Sequence, residues 1–272
     1  MDEQIIAIFC LCEDMLKALR HREDPQCPMS DAKVMTTAIV AALYFRRNFE
    51  AARRWMHTAG YIPRMLSKSR FNRRLHRIFD LFWALFHLLG ETWKQLNADM
   101  VYVIDSFPIA VCDNVRIRRC KRYQGVEWHG YQASKRRYFY GLKLHLLVTA
   151  DGQPVEFYFT PGSCSDTRAL RGYAFDVPEG AWIIGDKAYN DYTVEDILRD
   201  AQIYLLPYRR KNTRRPLPPW LRYLQSVWRK AVETTGSLLE RLLPKSIHAV
   251  TARGLELKVT LFVLACSLNF LW

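Results

Sequence analysis

Two aspartates that directly follow apolar runs have the residue type and position for joint chemistry. Asp105 follows the run 100–104, and Asp186 follows the run 181–185. Each run predicts a short buried strand, where a carboxylate costs free energy unless a cation or a hydrogen-bond donor pairs with it. If the two strands are neighbours, the carboxylates can share a divalent metal. Metals held in this way are the usual means of cleaving phosphodiesters.

A third acidic residue must come from elsewhere, and the helix predicted over residues 224–242 offers Glu233 and Glu240. These two differ by only about 20° around a helix, so periodicity does not choose between them. Glu233 is modestly favoured because Gly236 and Ser237, on the following turn, permit close approach to another backbone. A single aspartate after a strand is more often a turn residue or a helix cap. The order of all three acids within an α/β pattern favours a shared site.

The composition predicts a folded, basic protein. Of 272 residues, 50% are hydrophobic, and 40 Lys and Arg against 27 Asp and Glu give a net charge of +13. This length is enough for one large domain or two modest ones. The positive charge favours an anionic partner, either nucleic acid or an acidic membrane surface. The alternative is a basic surface that has no binding function.

Cysteine usage and the chain ends predict a cytoplasmic protein. The seven cysteines are scattered and form no C-x-x-C pair, which argues against a disulfide framework or a zinc site and fits a reducing compartment. The first residues, Met1 to Gln4, do not resemble a signal peptide. The most apolar stretch, 259–272, is too short to span a bilayer. We therefore expect a buried terminal helix and no membrane partner.

The pattern of apolar residues changes near residue 98. Residues 1–98 predict an all-helical DNA-binding region, in which one long helix starts after Ser67 and has an apolar face that runs from Phe71 to Leu89. Residues 99–272 predict a strand, a hairpin, a strand, a helix, a strand and a helix. That order indicates a mixed α/β domain with a central sheet.

Clusters of cations indicate where DNA would bind. Four arginines recur on one face of the helix after Ser67, and no acidic residue within that stripe relieves their repulsion. A second segment, between the first strand and the hairpin, mixes cations with aromatic residues, as nucleic-acid grooves do. Solvated basic surfaces are the alternative in both cases. The candidate DNA contacts are Arg70, Arg73, Arg74, Arg77, Arg118, Arg119, Lys121, Arg122, Lys135, Arg136 and Lys187, with Arg46, Arg47, Arg53 and Arg54 as extensions.

Several motifs together resemble bacterial insertion-sequence transposases of the DDE class. Residues 104–108 are similar to their first-aspartate motif, and residues 140–156 are similar to their hairpin. Residues 185–191 are similar to their second-aspartate motif, and Arg229 to Glu233 gives their Arg-x-x-x-Glu. The closing residues 247–262, which begin Ile-His-Ala-Val-Thr, resemble insertion-sequence family nine-eighty-two in particular.

The resemblance implies an RNase H-like fold with Asp105, Asp186 and Glu233 as the catalytic, metal-binding triad. It selects Glu233 over Glu240 and adds Arg229 to the candidate DNA contacts. It implies two Mg²⁺ ions, for which Mn²⁺ can substitute. The implied partners are the terminal inverted repeats of the element, target DNA and a second copy of the chain in the DNA complex.

One departure from related transposases lies on the same helix. Ser226 and Glu240 stand where those families carry Tyr and Lys, so the DNA contacts of those two residues do not carry over. The alternatives are a metal-dependent nuclease of the same fold, a non-catalytic domesticated DNA-binding protein and, more distantly, a membrane-surface protein. The sequence has no phosphate-cradling glycine-rich loop, so we expect no nucleotide cofactor.

Overall fold

The computed structural model describes residues 1–46, 48–132, 135–242, 247 and 249–272. Arg47, a candidate DNA contact, and His248, in the closing motif, lie outside these described residues.

Helices form the part of the chain that precedes the sheet. They are α1 (Asp2–Ala18), α2 (Asp31–Tyr44), α3 (Phe49–Thr58), α4 (Lys68–Arg77) and α5 (Phe79–Leu96). The predicted long helix after Ser67 is two helices, because the backbone leaves helical geometry at Ile78. This break lets the adjacent Ile78 and Phe79 both be buried. Ser67 caps α4 as predicted, with its hydroxyl accepting a hydrogen bond from the Arg70 N–H.

The described strands form one mixed sheet. They are β1 (Val101–Cys112), β2 (His129–Gln132), β3 (Arg137–Thr149), β4 (Pro154–Pro161), β5 (Trp182–Gly185) and β6 (Tyr204–Pro207). Antiparallel β3 and β4 lie on one side of β1, and parallel β5 and β6 lie on the other. This arrangement is that of the RNase H-like fold, so the predicted fold class is confirmed. The short β2 extends the sheet beside the start of β3.

The helices of the second half pack around this sheet. They are α6 (Asp166–Arg171), α7 (Tyr192–Asp200), α8 (Pro219–Leu242) and α9 (Ala252–Leu268). The segment Ala252–Leu271 is long and apolar enough to cross a membrane, yet 72% of it is buried within the protein. Burial of α9 confirms the predicted terminal core helix.

The N-terminal helices and the sheet share one apolar core. Helix α9 packs against α2 and α5 as well as α8, and α5 lies directly on β4. The Trp83 ring stacks on Phe157 at 4.4 Å between centroids. Gly90 makes this approach possible, because a Cβ there would lie 2.5 Å from the Val155 carbonyl oxygen. The division predicted between residues 98 and 99 stays a prediction.

Candidate active site

Asp105 and Asp186 lie side by side, each directly after one of two paired residues on adjacent parallel strands. Ile104 in β1 pairs in register with Gly185 in β5, so the two aspartates follow paired residues. Asp105 lies within β1, where its Oδ1 accepts a hydrogen bond from the Ser106 N–H at 2.8 Å. Asp186 ends β5, and its Oδ1 accepts the Lys187 N–H at 2.6 Å. The side-by-side arrangement that the shared-metal prediction requires is therefore present.

Helix α8 brings Glu233 to the same place. The helix packs closely on β1 at Gly236, where a Cβ would lie 2.5 Å from the Phe107 ring. Val232 and Leu239 are buried on the inner face, and the Thr235 hydroxyl donates to the Gly152 carbonyl at 2.6 Å. The close approach that the small residue at 236 predicted is thus observed.

Arg229 joins the acids of this site. Its Nη1 lies 3.1 Å from Asp186 Oδ1, and its Nε lies 2.9 Å from Glu233 Oε1. Glu240 does not pair with Arg229. Its carboxylate lies 3.1 Å from Lys135 Nζ instead. The structure therefore brings Asp186 and Glu233 onto one guanidinium, whereas Glu240, which is equally exposed, pairs with a different cation.

The surroundings of Asp105 alter the pKa of its carboxyl group. Burial raises the pKa of Asp105 to about 6, although the Ser106 N–H and the Arg229 charge act against this. The charges of Asp186 and Asp166 raise that pKa further. Burial by itself would lower the pKa of Arg229, but the hydrogen bond to Glu233 and the charge of Asp186 raise it overall. Arg229 is held in its cationic form by these acids.

The donor set fits a hard divalent cation. Asp105, Asp186 and Glu233 offer only carboxylate oxygens, which are the ligands that Mg²⁺ prefers. Within the described part of the chain, Asp105 forms no ion pair, and its raised pKa reflects that lack of compensation. A divalent ion would supply the compensating charge, so these residues fit the metal that the resemblance implies.

A second acidic cluster, in the helical region, is a structural brace. Ligand atoms of His21, Glu23 and Asp31 lie within 4.8 Å of one another. Cationic groups already occupy this cluster, since Arg74 Nε lies 2.6 Å from Asp31 Oδ1 and its Nη2 lies 3.7 Å from Glu23. His21 Nε2 also lies 2.9 Å from Asp31. This cluster ties α4 to the start of α2, and we do not regard it as the metal centre.

The predicted arginine stripe on α4 is therefore divided between two uses. Arg70, Arg73 and Arg77 are exposed, whereas Arg74 turns inward and pairs with Asp31. The predicted DNA contact of Arg74 stays a prediction, and its guanidinium bonds to Asp31, 43 residues earlier in the chain. Arg53 is likewise buried, and it pairs with Glu50.

Among the remaining candidate cations, Arg122 also has a structural role. Its guanidinium donates to the carbonyl oxygens of Val111 and Ala249, which fastens the segment after β1 to the approach to α9. Lys135 is exposed but paired with Glu240. The other candidates in these segments are exposed: Arg118, Arg119, Lys121, Arg136 and Lys187.

Asp166, which follows β4, lies near the site although its sequence pattern did not indicate this. Its Oδ1 accepts a hydrogen bond from the Ser106 hydroxyl at 3.0 Å, directly beside Asp105. The only sequence signal was a serine and an aspartate where a helix could start, a pattern that caps many helices. Its proximity to the site depends on how β4 returns along β3, which the residues alone do not reveal.

Comparison with known proteins identifies the family. The sequence pattern described as "Transposase DDE domain" matches residues 95–243, more than half of the chain. No curated protein matches. A solved structure, a cryo-EM structure of a piggyBac transposase synaptic complex with hairpin DNA, is similar at 11% identity and a TM-score of 0.47. That similarity covers 98% of this chain and 72% of the other, and it is too low to carry an argument. On the family pattern, the chain belongs to the transposase DDE domain family.

Proposed function

We propose that this protein cleaves DNA at the ends of an insertion sequence and joins the freed 3′-OH to target DNA. The proposed catalytic, metal-binding residues are Asp105, Asp186 and Glu233. The observation that carries this proposal is the convergence of acids from β1, the end of β5 and α8 around Arg229. Membership of the transposase DDE domain family and the charge of +13 support it.

The three acids would hold Mg²⁺ or Mn²⁺, which supply Lewis acidity for phosphodiester cleavage and for the attack of the 3′-OH. Asp105 has to be ionised for this role, and the nearby Arg229 charge favours ionisation. Partial burial of Asp105 reduces the water around its carboxylate, which would strengthen its interaction with a cation. Asp186 and Glu233 are more exposed and form the side that DNA can reach.

Arg229 would orient the acids and then meet the DNA. Without DNA, it holds Asp186 and Glu233 together through separate guanidinium nitrogens. Its guanidinium also lies over the Tyr208 ring, 5.4 Å from the centroid, which restricts its position. A guanidinium in this place can bind a phosphate of the reacting strand in bidentate fashion.

The exposed cations would bind the rest of the DNA. Arg70, Arg73 and Arg77 form one row on α4, and Lys187 lies next to Asp186. A cation that contacts a phosphate releases counterions, so binding should weaken steeply with salt. We propose that two copies of the chain hold the two terminal inverted repeats, since both ends must be joined together.

The test is a cleavage and joining assay with the full-length protein. The substrate is a labelled duplex that carries the ends of the element, with a target plasmid and Mg²⁺. We expect the wild type to nick at the end and to join the 3′-OH to the plasmid. Glu233→Gln should do neither while still binding DNA, and the matched control Glu240→Gln, on the same helix, should do both.

Two results would contradict the proposal. Cleavage by Glu233→Gln at the wild-type rate would remove Glu233 from the triad. Cleavage without any joining, under conditions where pre-cleaved ends are supplied in excess, would favour a nuclease of the same fold.

A further inference from the structure

A polar network lies beside Asp105 and is not used by the proposed chemistry. Asp166, the first residue of α6, accepts hydrogen bonds through Oδ1 from the Ser106 hydroxyl at 3.0 Å and from Lys143 Nζ at 3.2 Å. Lys143 also donates to the Cys164 carbonyl at 2.8 Å. The side chains of Asp166 and Lys143 are each only 17% exposed. An ion pair this enclosed is costly unless further hydrogen bonds support it, and here the Ser106 hydroxyl and the Cys164 carbonyl supply them.

Ser106 connects this ion pair to the proposed catalytic acid. Its N–H donates to Asp105 Oδ1 at 2.8 Å, and its hydroxyl donates to Asp166 Oδ1. One residue thus binds two carboxylates, one through its backbone and one through its side chain. The hydrogen bond to Asp166 restricts the rotamer of Ser106, and the Ser106 N–H restricts the Asp105 carboxylate.

The network lies on the face of the sheet opposite Glu233. Successive side chains of a strand point to opposite faces, so Ser106 points away from the face of Asp105 and Phe107. Phe107 contacts Gly236 of α8, the helix that carries Glu233. Asp166 therefore approaches Asp105 from behind the site, which suits a residue that orients a ligand.

The Asp186 segment is fastened to the same face. Tyr189, three residues after Asp186, is fully buried, and its hydroxyl lies 3.0 Å from His145 Nδ1. The other ring nitrogen of His145 lies 3.0 Å from the Thr160 hydroxyl. Burial lowers the pKa of His145 to about 4, so this ring is neutral at physiological pH. The segments that follow both aspartates are thus anchored to β3 and β4.

We propose that Asp166 is a positioning residue for Asp105, acting through Ser106 and held in place by Lys143. This role rests on the proposed function, because it assumes that Asp105 binds metal. Lys143 pairs with Asp166 and balances its charge. Asp166 therefore accepts the hydrogen bond from Ser106 and does not compete with Asp105 for the metal ion. Residues that orient metal ligands in this way commonly affect metal affinity by about 10–100-fold.

The test measures Mn²⁺ binding to the full-length protein by electron paramagnetic resonance of free Mn²⁺, together with cleavage as a function of Mn²⁺ concentration. The variants are Ser106→Ala, Asp166→Asn and the double variant, with Asp105→Asn as the reference for loss of a ligand. Ser267→Ala is the matched control, because its hydroxyl accepts a buried hydrogen bond from Trp93 in the core between α5 and α9. If Asp166→Asn fails to fold because Lys143 is left unpaired, Asp166→Asn with Lys143→Met removes both charges.

We expect Ser106→Ala and Asp166→Asn each to weaken Mn²⁺ binding by about tenfold, with cleavage restored at saturating Mn²⁺. The double variant should be no weaker than the single ones, because both remove the same connection. Ser267→Ala should bind Mn²⁺ like the wild type.

Other outcomes would overturn the proposal in distinct ways. If Ser106→Ala binds Mn²⁺ like the wild type, or if the two effects add, Asp166 does not act through Ser106. If Asp166→Asn lowers the number of bound ions while Ser106→Ala does not, Asp166 is itself a ligand. If Asp105→Asn binds Mn²⁺ and cleaves like the wild type, the proposed triad fails, and the positioning role fails with it.

Discussion

The cluster around Arg74 and the cluster around Arg229 each place an arginine among acids, and they differ in exposure. In the helical region, Arg74 meets Asp31, whose side chain is only 5% exposed, and His21 meets the same carboxylate. In the sheet domain, Arg229 meets Asp186 and Glu233, whose side chains are 43% and 58% exposed. The first cluster is closed, while the second is open to a ligand.

The clusters also differ in charge balance. Asp31 has Arg74 and His21 as close partners, and Glu23 lies near the same guanidinium. Around Arg229, three carboxylates share the field of one guanidinium, and the pKa of Asp105 is raised to about 6. Ligand-atom spacing alone would select the first cluster as a metal site. Exposure and uncompensated negative charge instead favour the cluster around Arg229 as the metal site. For this protein we consider these two properties a better guide to function than ligand-atom spacing.

The largest expected difference between the clusters is in catalysis. Asp186→Asn should reduce DNA cleavage by at least about a thousandfold, since a lost metal ligand removes several kcal/mol of transition-state stabilisation. The matched change in the closed cluster, Glu23→Gln, should leave the cleavage rate unchanged. Rates on a labelled end duplex check this, and equal losses in both variants would erase the proposed distinction.

The next effect is on stability. Arg74→Met removes the guanidinium that pairs with the buried Asp31 carboxylate. This loss should lower the free energy of unfolding by about 3 kcal/mol. Arg73→Met, one residue earlier on the exposed side of α4, should leave it unchanged. Urea unfolding measures both, and a stable Arg74→Met protein would show that the closed cluster is no brace.

A smaller effect should follow from the burial of Asp105. Its pKa is raised to about 6 from 3.8, so the folded state holds the proton more tightly than the unfolded state between these values. Stability should therefore fall as pH rises from about 4 to 6. Asp105→Asn should remove this slope and stabilise the metal-free protein at pH 7.5 by about 2 kcal/mol. Urea unfolding at pH 4 and pH 7.5 checks this, and an unchanged slope would contradict it.

The smallest effect should appear in DNA binding. Replacing Arg73 with Gln should reduce the slope of log affinity against log salt concentration by about one, as expected for one lost phosphate contact. Arg54→Gln is a useful comparison, since Arg54 is exposed but paired with Glu50 on α3. A salt slope that is the same in Arg73→Gln and the wild type would place the DNA elsewhere.

The catalytic candidates could be predicted because local sequence determines much of their placement. The runs before Asp105 and Asp186 are apolar enough to indicate strands, and Gly236 indicates where α8 can approach β1. The inward turn of Arg74 could not be predicted, because Asp31 is distant in sequence and only the packing of α2 and α4 brings them together. The position of Asp166 could not be predicted for the same reason, since it contacts Ser106, which is 60 residues away in the sequence.

The most direct test of the proposed site is a crystal structure of the protein soaked in Mn²⁺, with the metal located by anomalous scattering. We predict a Mn²⁺ peak within coordination distance of Asp105 and Asp186, with Arg229 displaced from at least one of its acids. We predict no peak among His21, Glu23 and Asp31, where Arg74 already supplies the positive charge. A peak at that cluster, with none at Asp105 and Asp186, would contradict the assignment of the catalytic metal site.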